Sequence, residues 1–221
     1  MALALVSFDL DGTLVDTAGE IAEAANRALQ EHGLPRQPDA HLALLIGHGA
    51  HALMRKLLAQ LQARMDEAPV LASFDRHYAD TTGTTGQPYP GAVEALDLLR
   101  SRGLRVACVT NKELRHTQHL LRHHRLQDRF DLVIGGDSLP QKKPDPAVLR
   151  HVSATLGVPL QAMAHVGDSA TDVEAARNAG VRAWVVPYGY NAGRPIAEAG
   201  PDAIFPDLLA AAHAALQADA R

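Results

Sequence analysis

The stretch Leu3-Ala4-Leu5-Val6-Ser7-Phe8-Asp9-Leu10-Asp11-Gly12-Thr13-Leu14-Val15-Asp16 decides the reading of this sequence. A short apolar run, Leu3 to Phe8, has the composition of a β-strand buried on both faces. It stops at two aspartates, Asp9 and Asp11, and Gly12 lets the backbone turn there. A pair of carboxylates at the end of a buried strand is costly unless a cation or a proton shares it. Two aspartates beside a glycine also match a turn with an Asx cap, so the pair gains meaning only from the rest of the chain.

Apolar runs like the first recur at Leu104 to Val109, Leu132 to Ile134, Ala162 to Val166 and Val181 to Val186, with a short sixth at Ala203 to Phe205. Helical patterns lie between them. Val93, Leu96 and Leu99 share one face before Gly103; Leu149, Val152 and Leu156 share another before Gly157; Val173 and Ala176 precede Gly180. Strands alternating with amphipathic helices specify a Rossmann-like α/β fold, a parallel sheet with helices on both faces. Glycine after the last helical turn is a C-terminal signal in each case.

One segment breaks the alternation. From Thr17 to Thr82 there are helical patterns and no convincing strand. Thr17-x-x-Glu20 has the spacing of a capping box. Ile21, Ala24, Ala25, Ala28 and Leu29 form the stripe of the helix it would open, and Gly33 with Pro35 ends it. Ala50 to Met65 and Pro69 to Ala79 read as further helices. The run from Thr81 to Gly91 is rich in Gly, Thr and Pro and reads as a linker. The expected organisation is a core of residues 1–15 and 84–221 with an inserted helical subdomain of residues 16–83.

Composition limits the function. The 221 residues carry 21 Lys plus Arg against 25 Asp plus Glu, a net charge of −4 with His neutral. There is no basic excess to neutralise phosphates, and only nine Phe, Tyr or Trp to stack on bases, so nucleic acid is not the expected partner. No run of ~18 apolar residues is present, so no membrane span is expected. Met1 to Val6 has no basic start, so a signal peptide is not expected either, and the expected location is the cytoplasm. The one cysteine, Cys108, falls in an apolar strand and reads as a small buried hydrophobe.

Polar residues gather just after the predicted strands, where ligands bind in open α/β sheets. Thr110-Asn111-Lys112 follows the second strand; a hydroxyl and an amide there suit an oxyanion or a helix N-cap. Gln141-Lys142-Lys143-Pro144-Asp145-Pro146 sets Lys143 against a rigid proline, with Asp145 and Pro146 suited to opening a helix. Gly167-Asp168-Ser169-Ala170-Thr171-Asp172 follows the fourth strand. A helix starting between Asp168 and Asp172 would turn both carboxylates to one site, and an acidic first turn is also ordinary capping. Taken together, Asp9, Asp11, Asp168 and Asp172 offer oxygen ligands that suit Mg²⁺. Thr110, Asn111 and Lys143 offer donors that suit a phosphate. A dianion approaches an aspartate cluster only if a metal and a lysine screen the repulsion, which is the requirement of phosphoryl transfer.

These four motifs, in this order, resemble the haloacid dehalogenase superfamily. Asp9-x-Asp11-Gly12-Thr13 is similar to its first motif, Thr110-Asn111 to its second, Lys143-Pro144 to its third and Gly167-Asp168-Ser169-x-x-Asp172 to its fourth. The helical insert is similar to that superfamily's cap. The resemblance implies Asp9 as the nucleophile that forms an aspartyl-phosphate, and Asp11 as the acid that protonates the leaving alcohol and then activates water. It implies Mg²⁺ held by the Asp9 carboxylate, the Asp11 backbone carbonyl and Asp168, with Asp172 in support. Thr110 and Asn111 would bind phosphate oxygens, and Lys143 would balance charge.

Within the superfamily, Val133-Ile-Gly-Gly-Asp137, Lys142-Lys-Pro-x-Pro146, Tyr188-Gly-Tyr-Asn191 with its following Gly193 and Pro195-Ile196, Ile46-Gly-x-Gly-Ala50 and Pro201-Asp-x-Ile204 are similar to the bacterial phosphoglycolate phosphatases. This implies 2-phosphoglycolate as substrate. Another small phosphate monoester, such as N-acetylmuramate 6-phosphate, is the alternative; a phosphomutase or a non-catalytic binding protein on the same fold ranks below it. Monomer and homodimer both fit the sequence.

Two histidines depart from the pattern. His165 stands beside the fourth motif where an apolar residue is expected. His48 lies in the Gly47-x-Gly49 turn, a position suited to meeting substrate, and the Tyr188 to Asn191 loop is placed to border the site. His116, His119 and His123 share one predicted helix face with Glu113 nearby; against a Zn²⁺ site, which would need three or four ligands, a solvated face is the preferred reading. A closing motion of the insert is expected, with hinges near Leu14 to Thr17 and Gly83 to Pro90.

Overall fold

The structure is a computed structural model that describes residues 2–217. A six-stranded parallel sheet runs through it in the order β5-β4-β1-β6-β7-β8. The strands are β1 (Leu5–Phe8), β4 (Arg105–Val109), β5 (Leu132–Ile134), β6 (Met163–Gly167), β7 (Arg182–Val185) and β8 (Ala203–Ile204). β1 is central, with β4 on one side and β6 on the other. The chain therefore leaves the sheet's middle in both directions, and the crevice of a doubly wound fold opens at the strand ends beside β1.

Side chains alternate across the strands as the two-residue period requires. Val6 and Phe8 of β1, Val106 and Cys108 of β4, and Ala164 and Val166 of β6 face one apolar layer. That layer is closed by α5 (Ala92–Ser101), α6 (Leu114–His123) and α9 (Leu208–Gln217). Leu5, Ala107, Val109 and Met163 face the opposite layer, closed by α7 (Ala147–Leu156) and α8 (Ala170–Ala179). Cys108 is a free thiol inside the first layer. Gly157 and Gly180, at φ +66° and +75°, close α7 and α8 in left-handed conformation; the missing Cβ is what makes that conformation cheap.

Four helices occupy the interval between the first and second sheet strands: α1 (Ala18–Glu31), α2 (Asp39–Ala43), α3 (Ala50–Gln60) and α4 (Glu67–Thr81). They bury an apolar cluster of their own. The predicted stripe of α1, Ile21 to Leu29, meets Leu53, Met54 and Leu57 of α3 and Val70 and Phe74 of α4. α3 is shorter than the expected span to Met65, because Gln62 at φ +51° turns the chain away. α4 is longer than expected at both ends, opened by Asp66, whose carboxylate accepts from Ala68 N.

The sequence reading missed a second sheet. β2 (Val15–Asp16) and β3 (Gln87–Pro88) form a two-stranded antiparallel ribbon, pairing Val15 with Pro88 and Asp16 with Gln87. Both are too short, and too rich in turn residues, to announce themselves as strands. The expected capping box also does not form. Thr17 makes no side-chain cap contact; its hydroxyl donates to Asp11 Oδ1 at 2.7 Å. Glu20 instead reaches across the ribbon, where Oε2 accepts from Gly83 N at 2.9 Å and Gly86 N at 3.2 Å. No helix of the described residues is long and apolar enough to cross a membrane.

Candidate active site

The chain turns sharply as it leaves β1. Asp9 N still donates to Val166 O of the neighbouring strand, so Asp9 sits at the rim of the sheet. Beyond it, Leu10 O accepts from Thr13, Leu14 and Val15, and Gly12 adopts φ +82°. This tight loop turns the carboxylates of Asp9 and Asp11 to different neighbours. Asp9 Oδ1 accepts from Leu10 N at 2.7 Å and meets Lys143 Nζ at 3.0 Å. Asp11 Oδ1 meets Thr17 Oγ1 and, at 3.0 Å, Lys112 Nζ.

The ends of β6 and β4 complete the site. Asp168, just past β6, accepts from Thr13 Oγ1 at 2.7 Å and from Tyr190 N. Asp172, in the first turn of α8, is almost fully buried and heavily bonded. Its Oδ1 takes Lys143 Nζ at 2.6 Å and His165 Nε2 at 3.1 Å; its Oδ2 takes Ser169 Oγ at 2.6 Å and Ser169 N at 3.2 Å. The capping box that the sequence suggested for Thr17 and Glu20 thus occurs here, between Ser169 and Asp172. The capping and the site-facing readings of Asp172 are both true.

Carboxylate oxygens of Asp9, Asp168 and Asp172 lie within 4.8 Å of one another, all buried. Burial raises the Asp9 carboxyl to about 7; Lys143 opposes the rise, and Asp172 and Asp11 add to it. Burial, with Asp172 and Asp9, also raises Asp168 well above the ordinary range. Asp172 goes the other way, because Lys143 and His165 outweigh its burial and hold it ionised. One lysine thus faces three acids. The excess negative charge and the all-oxygen donor set fit a hard divalent cation. Asp172 is committed to Lys143, His165 and Ser169, whereas Asp9 and Asp168 carry fewer partners and are the carboxylates that could ligate it.

Thr110 and Asn111 lie at the end of β4, as expected. Thr110 Oγ1 accepts from Lys112 N at 3.2 Å, which leaves its own hydrogen for a ligand. Asn111 is differently engaged. Its Nδ2 donates to Gly47 O at 3.2 Å and Lys143 O at 2.9 Å, while its Oδ1 is buried without a partner. In this arrangement the side chain ties the insert to the Lys143 loop.

Two residues escaped the sequence reading. Lys112 is buried, and burial works against its charge, yet Asp11, Tyr78 and Glu20 together lift its pKa. Its Nζ also donates to the hydroxyl of Tyr78, which α4 brings in from the insert. The signal for Lys112 was its place directly after Thr110-Asn111; nothing in the sequence singled out Tyr78. A cavity of about 30 Å³, lined by Asp9, Asp11, Thr110, Asn111, Lys112 and Tyr78 among others, lies between the sheet end and the insert.

The histidine expectations divide. His165 is fully buried; Ser7 Oγ bonds its Nδ1 at 2.9 Å, and its Nε2 supports Asp172. His48 is exposed and does not line the cavity; its neighbours Gly47 and Gly49 do. On α6, His119 and His123 are exposed, as a solvated face requires, but His116 is buried against the Tyr78 ring, centroids 4.5 Å apart. The Tyr188 to Asn191 loop does border the site. Tyr188 OH donates to Thr13 O at 3.0 Å, and the Tyr190 hydroxyl accepts from Thr17 N and Ala18 N.

Comparison with known proteins agrees with this geometry. Residues 6–186 match the family model described as haloacid dehalogenase-like hydrolase. A plasmid-encoded phosphoglycolate phosphatase of Cupriavidus necator is 45% identical over 207 residues, covering 93% of this chain and 90% of that protein. The phosphoglycolate phosphatase of Thiobacillus denitrificans is 39% identical over 211 residues, covering 94% and 93%. A crystal structure of a predicted phosphoglycolate phosphatase from Haemophilus somnus superposes with a TM-score of 0.87 at 33% identity, covering 94% of this chain and 95% of that one. With its four motifs gathered at the crevice of the doubly wound sheet, the chain belongs to the haloacid dehalogenase-like hydrolases.

Proposed function

We infer that this hydrolase is a Mg²⁺-dependent phosphomonoesterase that converts 2-phosphoglycolate to glycolate and phosphate. One observation carries the reading: Asp9 and Asp168 converge with Lys143 at the crevice, while Asp11 stands apart from them on a different set of donors. That division suits two carboxylates for two tasks. The substrate name rests on the relatives called phosphoglycolate phosphatase.

In the proposed reaction the Asp9 carboxylate attacks phosphorus in line with the ester oxygen. The P–O bond to the alcohol breaks, and an aspartyl-phosphate forms on Asp9. Asp11, paired with Lys112 in this arrangement, would take up a proton as the substrate binds, give it to the leaving alkoxide, and then take one from the water that cleaves the acyl phosphate. Lys143 holds Asp9 in place and offsets phosphate charge, and Thr110 donates its hydroxyl to a phosphate oxygen. Asp9, Asp168 and the Asp11 carbonyl would hold Mg²⁺, with Asp172 behind them. When bound, the metal supplies charge neutralisation at the phosphoryl oxygens.

The insert of residues 16–83 acts in this scheme as a cap. The cavity between the sheet end and the insert is partly open to solvent. In the proposed scheme the cap swings to admit the phosphate monoester, and closure then excludes bulk water from the acyl phosphate. The ribbon of β2 and β3 is the natural hinge.

The test is phosphate release with Mg²⁺ across 2-phosphoglycolate, several sugar phosphates, N-acetylmuramate 6-phosphate and a nucleoside monophosphate. The expected result is a kcat/KM for 2-phosphoglycolate at least about tenfold above every other substrate, a gap of about 1.4 kcal/mol in transition-state binding. Asp9→Asn should abolish all of it. Preference for another substrate would overturn the substrate and keep the chemistry; full activity in Asp9→Asn would overturn the chemistry.

A further inference from the structure

A second group of metal-ligating side chains lies away from the crevice, where α3 and α4 of the insert meet the start of α6. His51 Nε2 is 2.7 Å from Asp75 Oδ1 and 3.9 Å from Glu113 Oε1. These three residues, from three separate segments, bring ligand atoms within 4.8 Å of one another. Glu113 also faces His116, with Oε2 at 3.6 Å from Nε2, too far for a hydrogen bond. His116 is only 4% exposed, and its Nε2 has no partner. A buried, unpartnered ring nitrogen directed at a carboxylate is a group prepared for something absent from the protein itself.

We propose that His51, Asp75 and Glu113, with His116 behind Glu113, form a site for a divalent transition-metal ion of the Zn²⁺ type. Ligand chemistry supports the choice: an imidazole with two carboxylates suits Zn²⁺, whereas Mg²⁺ takes oxygen donors. Spacing supports it too. Bonds of about 2.0–2.1 Å in a tetrahedron set ligand atoms about 3.3 Å apart, and the separations of 2.7 and 3.9 Å from His51 Nε2 to the two carboxylates bracket that value.

Arg115 is the competitor. Its guanidinium holds Glu113 Oε2 through Nε at 3.1 Å and Nη2 at 3.0 Å and lies 3.6 Å from Asp75 Oδ1, on a side chain that is 56% exposed. An ion that takes its place would join α3, α4 and α6 through direct bonds.

The test is calorimetric titration of Zn²⁺ into the full chain under saturating Mg²⁺, which keeps the crevice carboxylates occupied. A single Zn²⁺ should bind. His51→Ala and Glu113→Gln should each weaken it by about tenfold or more; His51 is half-buried at the surface, so its truncation spares the core. Arg115→Gln should tighten binding, since it removes the competing cation. Asp168→Asn should leave Zn²⁺ affinity unchanged, and so should the double variant His119→Ala with His123→Ala. The proposal is overturned if no Zn²⁺ binds under saturating Mg²⁺. It is equally overturned if binding follows Asp168 or the exposed His119 and His123, or if His51→Ala and Glu113→Gln both bind like the wild type.

Discussion

Lys112 Nζ lies 3.0 Å from Asp11 Oδ1 and donates at the same time to the Tyr78 hydroxyl, so one buried ammonium joins the turn after β1 to α4. Glu20 leans on the same charge: burial raises its pKa and Lys112 opposes the rise. Lys112→Met would leave Asp11 and Glu20 without their cation. Removing one member of a buried ion pair costs roughly 3–5 kcal/mol, and urea unfolding should read a loss of that order. Tyr78→Phe removes only a hydroxyl and should cost about 1 kcal/mol. Equal losses in the two variants would contradict the pairing.

Raised carboxyls make stability depend on pH in a stated direction. The folded pKa of Asp9 is raised from 3.8 to about 7, and Asp168 is raised with it. Their neutral forms favour folding, so that contribution is complete below about pH 4 and is lost as pH climbs toward 7. A bound divalent cation replaces the protons and removes the penalty. The rise in melting temperature on adding Mg²⁺ should therefore be larger at pH 8 than at pH 5, by thermal melts with and without the metal. An equal rise at both pH values would show that these carboxylates do not take the ion.

Gly189 touches the site more closely than its distance in sequence suggests. A Cβ there would collide with the Asp168 carboxylate and with Gly12 O. The backbone of the Tyr188 to Asn191 loop is thus the wall behind Asp168. Gly189→Ala should displace that carboxylate and weaken Mg²⁺ binding by about tenfold or more, the usual effect of disturbing a ligand's support. Calorimetry of Mg²⁺ binding, beside an unchanged far-UV spectrum, would check it.

Glu20 braces the segment that the proposed cap motion would bend. Its Oε2 accepts from the backbone of both Gly83 and Gly86. Glu20→Ala leaves two buried N–H groups unpaired, at roughly 1–3 kcal/mol each, and should destabilise by about 2–6 kcal/mol in urea. Glu20→Gln keeps an acceptor oxygen and should lose less than half as much. A Gln variant as weak as the Ala variant would mean that Lys112, not the glycines, is the partner that matters.

Much of the molecule was legible in the sequence because its signals are local. Leu5 to Phe8, Arg105 to Val109 and Met163 to Gly167 are apolar runs that only a two-sided sheet buries, and Asp9, Thr110 and Asp168 follow from where those runs stop. Asp9, Lys143, Asp168 and Asp172 are brought together as the motif order implied. What stayed hidden is non-local. The ribbon of Val15 with Pro88 has two residues a side and no hydrophobic period to declare it. Thr17 and Glu20 had the spacing of a capping box, but a carboxylate 63 residues from Gly83 in sequence found a stronger use there. Nothing in the sequence marked Tyr78, and His116 looked like a surface imidazole; only the packing of α4 on α6 turns them face to face. His165 looked out of place in a strand because its reason, Asp172, lies one helical turn beyond the strand's end.

The pairing of Asp16 with Gln87 has a wider consequence. The polypeptide enters and leaves the helical insert through adjacent strands, so the gap its removal would leave in the chain is one strand spacing, ~5 Å. A segment attached that way behaves as a cassette. It can lengthen, shrink or be exchanged without moving β1 or β4, because neither the register nor the order of the sheet passes through it. In the proposed scheme, where the insert is the cap, the segment that meets the substrate is thus carried separately from the strands that carry Asp9 and Asp168.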